Sequence, residues 1–547
     1  MSKVLLARLP VWFWIWALLA GTMPLIRPAM PVDETRYLAV AWEMWWRESF
    51  AVPYLNGVLY DGKPPLFFWL MHLGWSIFGV NEWWPRALMP LFGLADLGLV
   101  YAIARRLWGR HQAATLAPLI LLGSLYWALF CASTMFDILL GFFALLSVYA
   151  LIRVWQGGGT RFFILAGVAL GCGILAKGPV VFLPALFIVL LAPWWMGAQP
   201  TARVTWRAWY GGALVAAAIA ALIAVAWLIP MTLASNQDYL KNMLFRQNAG
   251  YVSDSFSHPR PVWWYLPLLP VLLLPWSCWP QAWRAVGAPG AALGDPGVRL
   301  CLAWAVLVLI AFSLISGKQP HYLLLMFPAV ALLMARLLPA ADHGRRDYSL
   351  LVAAGVPFAV GWALIIAAGT GMVPPHKAVW LTWMPSSVLY AAGACLVAIG
   401  VAVAVCCVTV LDTRVKVLAA ASCSMVLVLT GAFVRASSSA YDVRATSAFL
   451  SALEGGGAQL AITSHYSGEF NFYGRLRTKI EEVPPPTVLD WASAHPGAYV
   501  IVFFDGIDWP PAKAPAPVYQ SLHRGGGVVV WRALDFARHP QPSKFYK

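Results

Sequence analysis

The chain has 547 residues, 61% of them hydrophobic and only 11% charged, with a formal net charge of +15 and a mean hydropathy of +0.69. A soluble protein of this length needs far more charge to cover its surface, so the composition excludes that class and points to a polytopic α-helical membrane protein. The basic balance, in such a chain, reads as orientation in the bilayer and attraction to anionic lipid, not as nucleic-acid binding.

Apolar stretches of roughly 17–25 residues are long enough to cross the hydrocarbon core as helices. Taken in order, they predict about thirteen spans. The first six are Val11–Ile26, Pro85–Arg106, Ala113–Phe130, Asp137–Trp155, Phe162–Leu175 and Pro179–Trp195. The rest are Ala208–Met231, Trp263–Trp283, Leu300–Ile315, Tyr322–Leu338, Ser349–Thr370, Ser387–Leu411 and Val415–Val434. Pro64–Gly79 is short, opens with two prolines and has mixed polarity, so it is expected to lie at the interface. The first span has a basic start but no clear small-x-small cleavage site, and reads as a retained anchor. The thirty Trp suit wide aromatic belts.

Lys and Arg set the orientation. With the N-terminus inside, Lys3 and Arg8, Arg105/Arg106/Arg110, Arg153/Arg161, Arg203/Arg207, Arg284/Arg299, Arg336/Arg345/Arg346 and Arg414/Lys416 all fall on the cytoplasmic side. Residues 1–435 then form a transmembrane catalytic domain and residues 436–547 an outer tail. The tail reads as a small α/β unit. Tyr441–Leu453 has helical spacing and meets a Gly-Gly-Gly stop. Strands are predicted over Ala458–Thr463, Thr478–Val483 and Tyr499–Phe504, and a hairpin over Val518–Leu522 and Val528–Leu534. Short helices are predicted over Gly468–Gly474 and Val488–Ala494. All eight Cys lie in the predicted membrane helices or at their ends, so neither a disulfide frame nor a Cys-based zinc site is offered.

Two outer loops are long, one from Arg27 to Trp84 and one around Asn236–Pro261, which suggests chemistry on that side. The first carries Asp33-Glu34-Thr35-Arg36-Tyr37 and Tyr60-Asp61-Gly62-Lys63-Pro64-Pro65. Asp33 and Glu34 suit a helix N-terminus, where acids cap free N–H groups. That account leaves Arg36 and Tyr37 unexplained, and charges at a bilayer are costly. Asp137 begins another helix on the same side and has the same two readings, cap or catalytic partner of Asp33. The prolines mount Lys63 at a helix start, which suits gripping a phosphate better than snorkelling does. Arg260, in His258-Pro259-Arg260-Pro261, is a natural partner for phosphate oxygens, and His258 is better read as a hydrogen-bonding group than as a metal ligand. Arg246 and Asn248, Lys177, Lys318, and His321 with Tyr322 add cationic and polar groups to the same side. Asp96 lies deep in a span and is expected to make a helix–helix hydrogen bond.

Together these motifs resemble the GT-C membrane glycosyltransferases that use polyprenyl-phosphate sugars, within them the lipid A aminoarabinose transferases and the related protein O-mannosyltransferases. The shared pattern is acid-Glu-x-Arg-Tyr after the first span, Tyr-x-x-Lys-Pro-Pro, an acid at the outer start of the fourth span, and a His/Arg-Pro-Trp-Trp-Tyr loop. The resemblance implies an inverting transferase that moves a sugar from undecaprenyl phosphate to a lipid A-type or other periplasmic acceptor, with 4-amino-4-deoxy-L-arabinose as the sugar it offers. It places the protein in a bacterial inner membrane, with the active site and C-terminus facing the periplasm. It makes Asp33 the principal catalytic acid, with Asp137 supporting and Glu34 beside them. Arg36, Tyr37, Tyr60, Lys63, Arg246, His258, Arg260, Lys318 and Tyr322 would hold substrate. Aminoarabinose transferases usually carry a Glu just before the Lys-Pro-Pro lysine that can help hold a metal; here Gly62 stands there, with Asp61 one step earlier. No cofactor is required, and a divalent metal is not supported. The readings outside this one are a protein O-glycosyltransferase of the same fold, a lipid or solute transporter, and a scaffold. A transporter predicts ionisable groups at mid-membrane and internal repeats, whereas the polar residues here cluster at the outer ends.

Overall fold

A computed structural model of the chain describes residues 9–197, 204–235, 259–287, 290–370, 385–505 and 516–538. Among these, eight helices are long and apolar enough to cross a membrane, and nine if one bent pair counts as a single span. The protein is therefore a multi-pass helical membrane protein with an additional α/β unit.

The elements that matter below are few. Helix α1 is Val11–Ile26. A surface helix α2, Asp33–Trp46, is followed by a two-stranded hairpin, β1 (Tyr54–Leu55) and β2 (Val58–Leu59). Helix α3, Leu66–Phe78, has 13 residues and rises only about 20 Å, too little for a hydrocarbon core of about 30 Å. Then come α4 (Trp83–Trp108), the bent pair α5 (Ala113–Gly123) and α6 (Leu125–Cys131), α7 (Phe136–Trp155) and α8 (Arg161–Lys177). Later helices include α9 (Trp206–Ala234), α10 (Pro296–Leu314) and α11 (Leu411–Tyr441). The last of these runs without a break through the expected boundary at residue 435.

The remaining four expected spans are helices too short or too broken to pass on length and composition alone. Helix α1 has 16 residues and α8 has 17. Residues 179–195 are broken into short helical pieces, with Pro184 and Pro193 among them, and residues 263–283 contain four prolines. Proline removes a donor and frees the carbonyl four residues earlier, so such segments need outside partners. Tryptophan supplies them. Trp209 Nε1 donates to the Val189 carbonyl that Pro193 leaves free, at 3.3 Å. Trp276 braces the 74° bend between α5 and α6: its Nε1 donates to Ser124 Oγ and to the Ile120 carbonyl, which also accepts from the Ser124 N–H. Some Trp do sit outward as a belt would have them, but Trp75, Trp127, Trp195, Trp209, Trp279 and Trp304 are fully buried.

The helix ends sort into two layers. Gln156, just beyond α7, donates to the Arg106 carbonyl near the end of α4. Asp137 lies at the opposite end of α7, and the candidate site is built there. Asp96, midway along α4, is buried, and its Oδ1 has no hydrogen-bond partner among the described residues, so the expected helix–helix bond is not formed.

The tail is a five-stranded sheet in the order β4-β3-β5-β7-β6. Strands β3 (Leu460–Ile462), β4 (Glu481–Glu482) and β5 (Tyr499–Asp505) are parallel; β6 (Tyr519–His523) and β7 (Gly526–Arg532) form the expected hairpin, whose β7 pairs antiparallel with β5. Strand β5 is an unbroken apolar run because both of its faces are covered. Val500, Val502 and Phe504 enter one core with Trp531 and Phe536, while Ile501 and Phe503 enter another with Leu450 and Phe470.

Candidate active site

A cavity of about 440 Å³ opens at the Asp137 end of the helices. Helix α2 brings Asp33, Arg36 and Tyr37 to it, the strap between β2 and α3 brings Lys63, the start of α7 brings Asp137, and the end of α8 brings Lys177. Residues before α11, Gly317, Gln319, His321 and Tyr322, close the far side. Asp33 and Lys63, 30 positions apart in the chain, thus face one space, and so do Asp33 and Asp137.

The charges are ordered. Arg36 is ion-paired to Asp33 one turn away on α2. Lys177 Nζ lies 2.5 Å from Asp137 Oδ1 and 5.5 Å from the centre of the Tyr322 ring. Lys63 makes no ion pair among the described residues, which leaves it available for an incoming anion. Burial, and then the like charge of Lys177, pull Lys63 down to about 8, with Asp137 opposing them. Desolvation works against the Arg36 charge, but Tyr60, Tyr37 and Asp33 outweigh it and raise its pKa. Tyr37 is buried edge-on against Phe136, with centroids 4.7 Å apart. Burial, then Tyr60 and Asp33, push its phenol well above the ordinary range, so it stays a hydrogen-bond donor.

Neither aspartate caps its helix through its side chain. Helix α2 begins after Val32 with no capping bond, so capping does not account for Asp33 or Glu34.

Four expected residues do not line the cavity. The Glu34 carboxylate is spent on structure. It takes both arms of Arg27 at 2.6 Å, the Met30 N–H at 2.7 Å and the Thr134 N–H at 2.5 Å. Burial would raise its pKa, but Arg27 and the hydrogen bonds hold it below the ordinary value. Glu34 therefore ties the segment before Asp33 to the segment before Asp137. Lys318 is turned inward, its Nζ donating to the carbonyls of Arg260 and Ile315. Arg260 is exposed with its guanidinium 5.6 Å from the centre of the Trp264 ring, and it does not line the cavity. Tyr60 is close to Arg36 and Tyr37 but does not line the cavity. Arg246, Asn248 and His258 fall outside the described residues. Lys177 and His321 are central, yet in the sequence each looked like ordinary interfacial decoration. The signal was only that Lys177 and Asp137 end and begin helices on the same side.

Two apolar clefts lead away from the cavity. One, of about 560 Å³, shares Lys63, Asp137, Lys177, His321 and Tyr322 with it and continues between Leu140, Leu183, Trp227, Leu228 and Leu324. The other, of about 470 Å³, includes Asp33 and runs between Met23, Leu129, Phe130 and the α11 residues Leu429 and Phe433.

A family model described as "Dolichyl-phosphate-mannose-protein mannosyltransferase" matches residues 62–229. The chain is 30% identical over 349 residues to undecaprenyl phosphate-alpha-4-amino-4-deoxy-L-arabinose arabinosyl transferase 2 of Pseudomonas fluorescens, covering 61% of this chain and 57% of that one. It is 29% identical over 316 residues to the corresponding transferase of Edwardsiella ictaluri, covering 55% and 54%. The crystal structure of ArnT from Cupriavidus metallidurans bound to undecaprenyl phosphate superposes with a TM-score of 0.75 at 18% identity, over 97% of this chain and 98% of that one. The chain shares the fold of that structure throughout and resembles the aminoarabinose transferases in sequence over 61% to 64% of its length. The sequence matches to these transferases span about 54% to 62% of their length, whereas the fold is shared throughout.

A metal of the kind Gly62 puts in question does not suit the described residues around Lys63. The ring of Tyr60 fills the space where a side chain at 62 would begin, 2.5 Å from an added Cβ. Among the described residues no three His, Cys, Asp or Glu side chains gather closely enough to hold an ion.

Proposed function

We propose that this protein is a glycosyltransferase that moves a sugar from undecaprenyl phosphate to a lipid A-type or other periplasmic acceptor. The observation that carries this reading is the single cavity, in which two aspartates and three cations meet at the mouth of an apolar cleft. An anionic head group on a long apolar tail is the ligand such a pair of surfaces suits.

In this reading the prenyl tail lies along the Leu140–Leu228 cleft and its phosphate meets Lys63, Lys177 and Arg36. Asp33, ion-paired to Arg36, accepts the proton of the acceptor hydroxyl. The hydroxyl oxygen attacks the anomeric carbon as the carbon–oxygen bond to phosphate breaks. The bonding electrons leave with the phosphate, whose growing charge the cations stabilise. Attack from the opposite face inverts the configuration. Asp137 keeps Lys177 aimed at the phosphate. The second cleft, on the Asp33 side, suits an acceptor that is itself a lipid. The relatives' names favour 4-amino-4-deoxy-L-arabinose as the sugar. The description of the family model favours the second reading, a protein acceptor.

The same proposal takes residues 1–435 as the catalytic domain and residues 436–547 as the outer domain, and counts the four shorter segments as crossings, thirteen in all. The arginines at the far ends of α4 and α7 then face the cytoplasm of a bacterial inner membrane. The cavity and the tail face the periplasm.

The test is transfer from a polyprenyl-phosphate sugar by purified protein. Asp33→Asn should lose about 10²- to 10⁴-fold in rate; full activity overturns the mechanism. Mass spectrometry of lipid A and of glycoproteins, from cells with and without the protein, distinguishes the two acceptors.

A further inference from the structure

The tail holds the strap that carries Lys63. Hairpin β1–β2 has two residues per strand, and so small a ribbon has no stability of its own. Its turn is Asn56-Gly57, with φ of 53° and 77°, a pair suited to a tight hairpin turn. The Asn56 side chain is buried and is spent on the far end of the chain. Its Nδ2 donates to the Ile480 carbonyl at 2.8 Å, and its Oδ1 accepts from the Ile480 N–H at 2.9 Å. Ile480 is fully buried in a tail core beside edge strand β4.

Neighbouring contacts press on the same place. Gly57 lies against Lys479 and donates its N–H to Glu43 on α2. Gly468, at φ 77°, backs so closely onto Leu55 that an added Cβ would lie 2.5 Å from it. The strap leaves β2 at Tyr60, whose N–H is bonded to the Pro53 carbonyl, and reaches Lys63 three residues later. At its other end α3 also leans on the tail, Trp75 stacking on Phe472 with centroids 5.7 Å apart.

We propose that Asn56 is a positioning residue for the active site: its two hydrogen bonds to Ile480 hang the hairpin on the tail and so set where Tyr60 and Lys63 stand. This rests on the reading that Lys63 holds the donor phosphate. It gives the tail a part in catalysis, acting through the backbone of residues 56–63.

The test compares Asn56→Gly, which keeps the positive φ and loses both bonds, with Asn56→Asp, which keeps the acceptor alone, and with Lys63→Ala. The full-length protein is used in detergent with an undecaprenyl-phosphate sugar. Asn56→Gly should raise the KM for donor about tenfold, as loss of a hydrogen bond to a charged group does, and leave the KM for acceptor unchanged. Asn56→Asp should fall between it and the unaltered protein. Adding Asn56→Gly to Lys63→Ala should cost nothing further. The alkaline limb of activity should move up from about pH 8, because a displaced Lys63 is better hydrated and farther from Lys177. The other groups around it, Asp33, Arg36, Asp137 and His321, are untouched. Amide hydrogen exchange over residues 58–63 should quicken. Unchanged exchange there in both Asn56 variants, or a donor KM and alkaline limb that stay put while exchange quickens, overturns the proposal. If Lys63→Ala leaves the donor KM unchanged, the donor reading fails instead, and exchange over 58–63 still decides whether Asn56 holds the strap.

Discussion

At the scale of single residues, the site is defined by which charges are already spent. Among the described residues Asp33 and Asp137 each keep one cation, Lys63 keeps no ion pair, and Glu34 is consumed by Arg27 and two backbone N–H groups. The motif puts Asp33 and Glu34 side by side, yet one turns to the cavity and the other to a buried ion pair. Successive residues on a helix point about 100° apart, so adjacency does not mean shared duty. Glu34→Gln should therefore lower stability by about 3–5 kcal/mol by leaving Arg27 buried and unpaired. Calorimetry in detergent checks this. Because the folded state holds the Glu34 pKa below its unfolded value, its contribution is complete above about pH 4.5. It declines as the pH falls through the lower folded value. The loss of stability between unaltered protein and variant should shrink in that acid range.

At the scale of elements, the site depends on short helices seated closely on long ones. Gly74 of α3 faces Trp84 of α4; an added Cβ would lie 2.0 Å from Trp84 Nε1, which is itself bonded to the Leu70 carbonyl at 2.9 Å. Gly74→Ala must push α3 off α4, and α3 begins immediately after the Lys63-Pro64-Pro65 mount. A loss of about 1–3 kcal/mol is expected from overpacking, measured as a lower thermal midpoint, together with a raised donor KM. A variant with neither change would show that α3 is free to shift. The bend between α5 and α6 has a parallel function, since it brings the loop before Asp137 to lie beside Arg27 and Glu34.

At the scale of the whole molecule, a polar cavity sits between two apolar clefts and beneath a tail that grips its entrance strap. In the proposed reading the prenyl tail occupies the leucine-lined cleft shared with Lys63, and the cleft's length would limit how much of that tail leaves the lipid. Leu183→Trp narrows it. The KM for a long-chain donor should rise about tenfold while that for a short-chain donor changes little, because only the long chain loses buried area. Equal effects on both donors would show that the tail does not lie there.

Composition and patterning alone determined that the chain is a helical membrane protein with an α/β tail. Apolar run length and alternation are local consequences of what each segment must bury. They also brought Asp33, Arg36, Tyr37, Lys63, Asp137 and Tyr322 under suspicion, because charge at a bilayer surface is expensive wherever it occurs. Only the tertiary structure decided that Glu34 and Lys318 are spent elsewhere, that Lys177 partners Asp137, and that Asn56 ties the strap to Ile480. Lys177 and Asp137 are 40 positions apart and Asn56 and Ile480 are 424 apart, while Glu34 reaches Thr134 and Lys318 reaches Arg260 across 100 and 58 positions. Nothing in a linear spacing encodes which of several cations on one side will fall within reach of a given carboxylate. Helix packing and the breaks at Ser124 and the prolines do that, by choosing which ends meet.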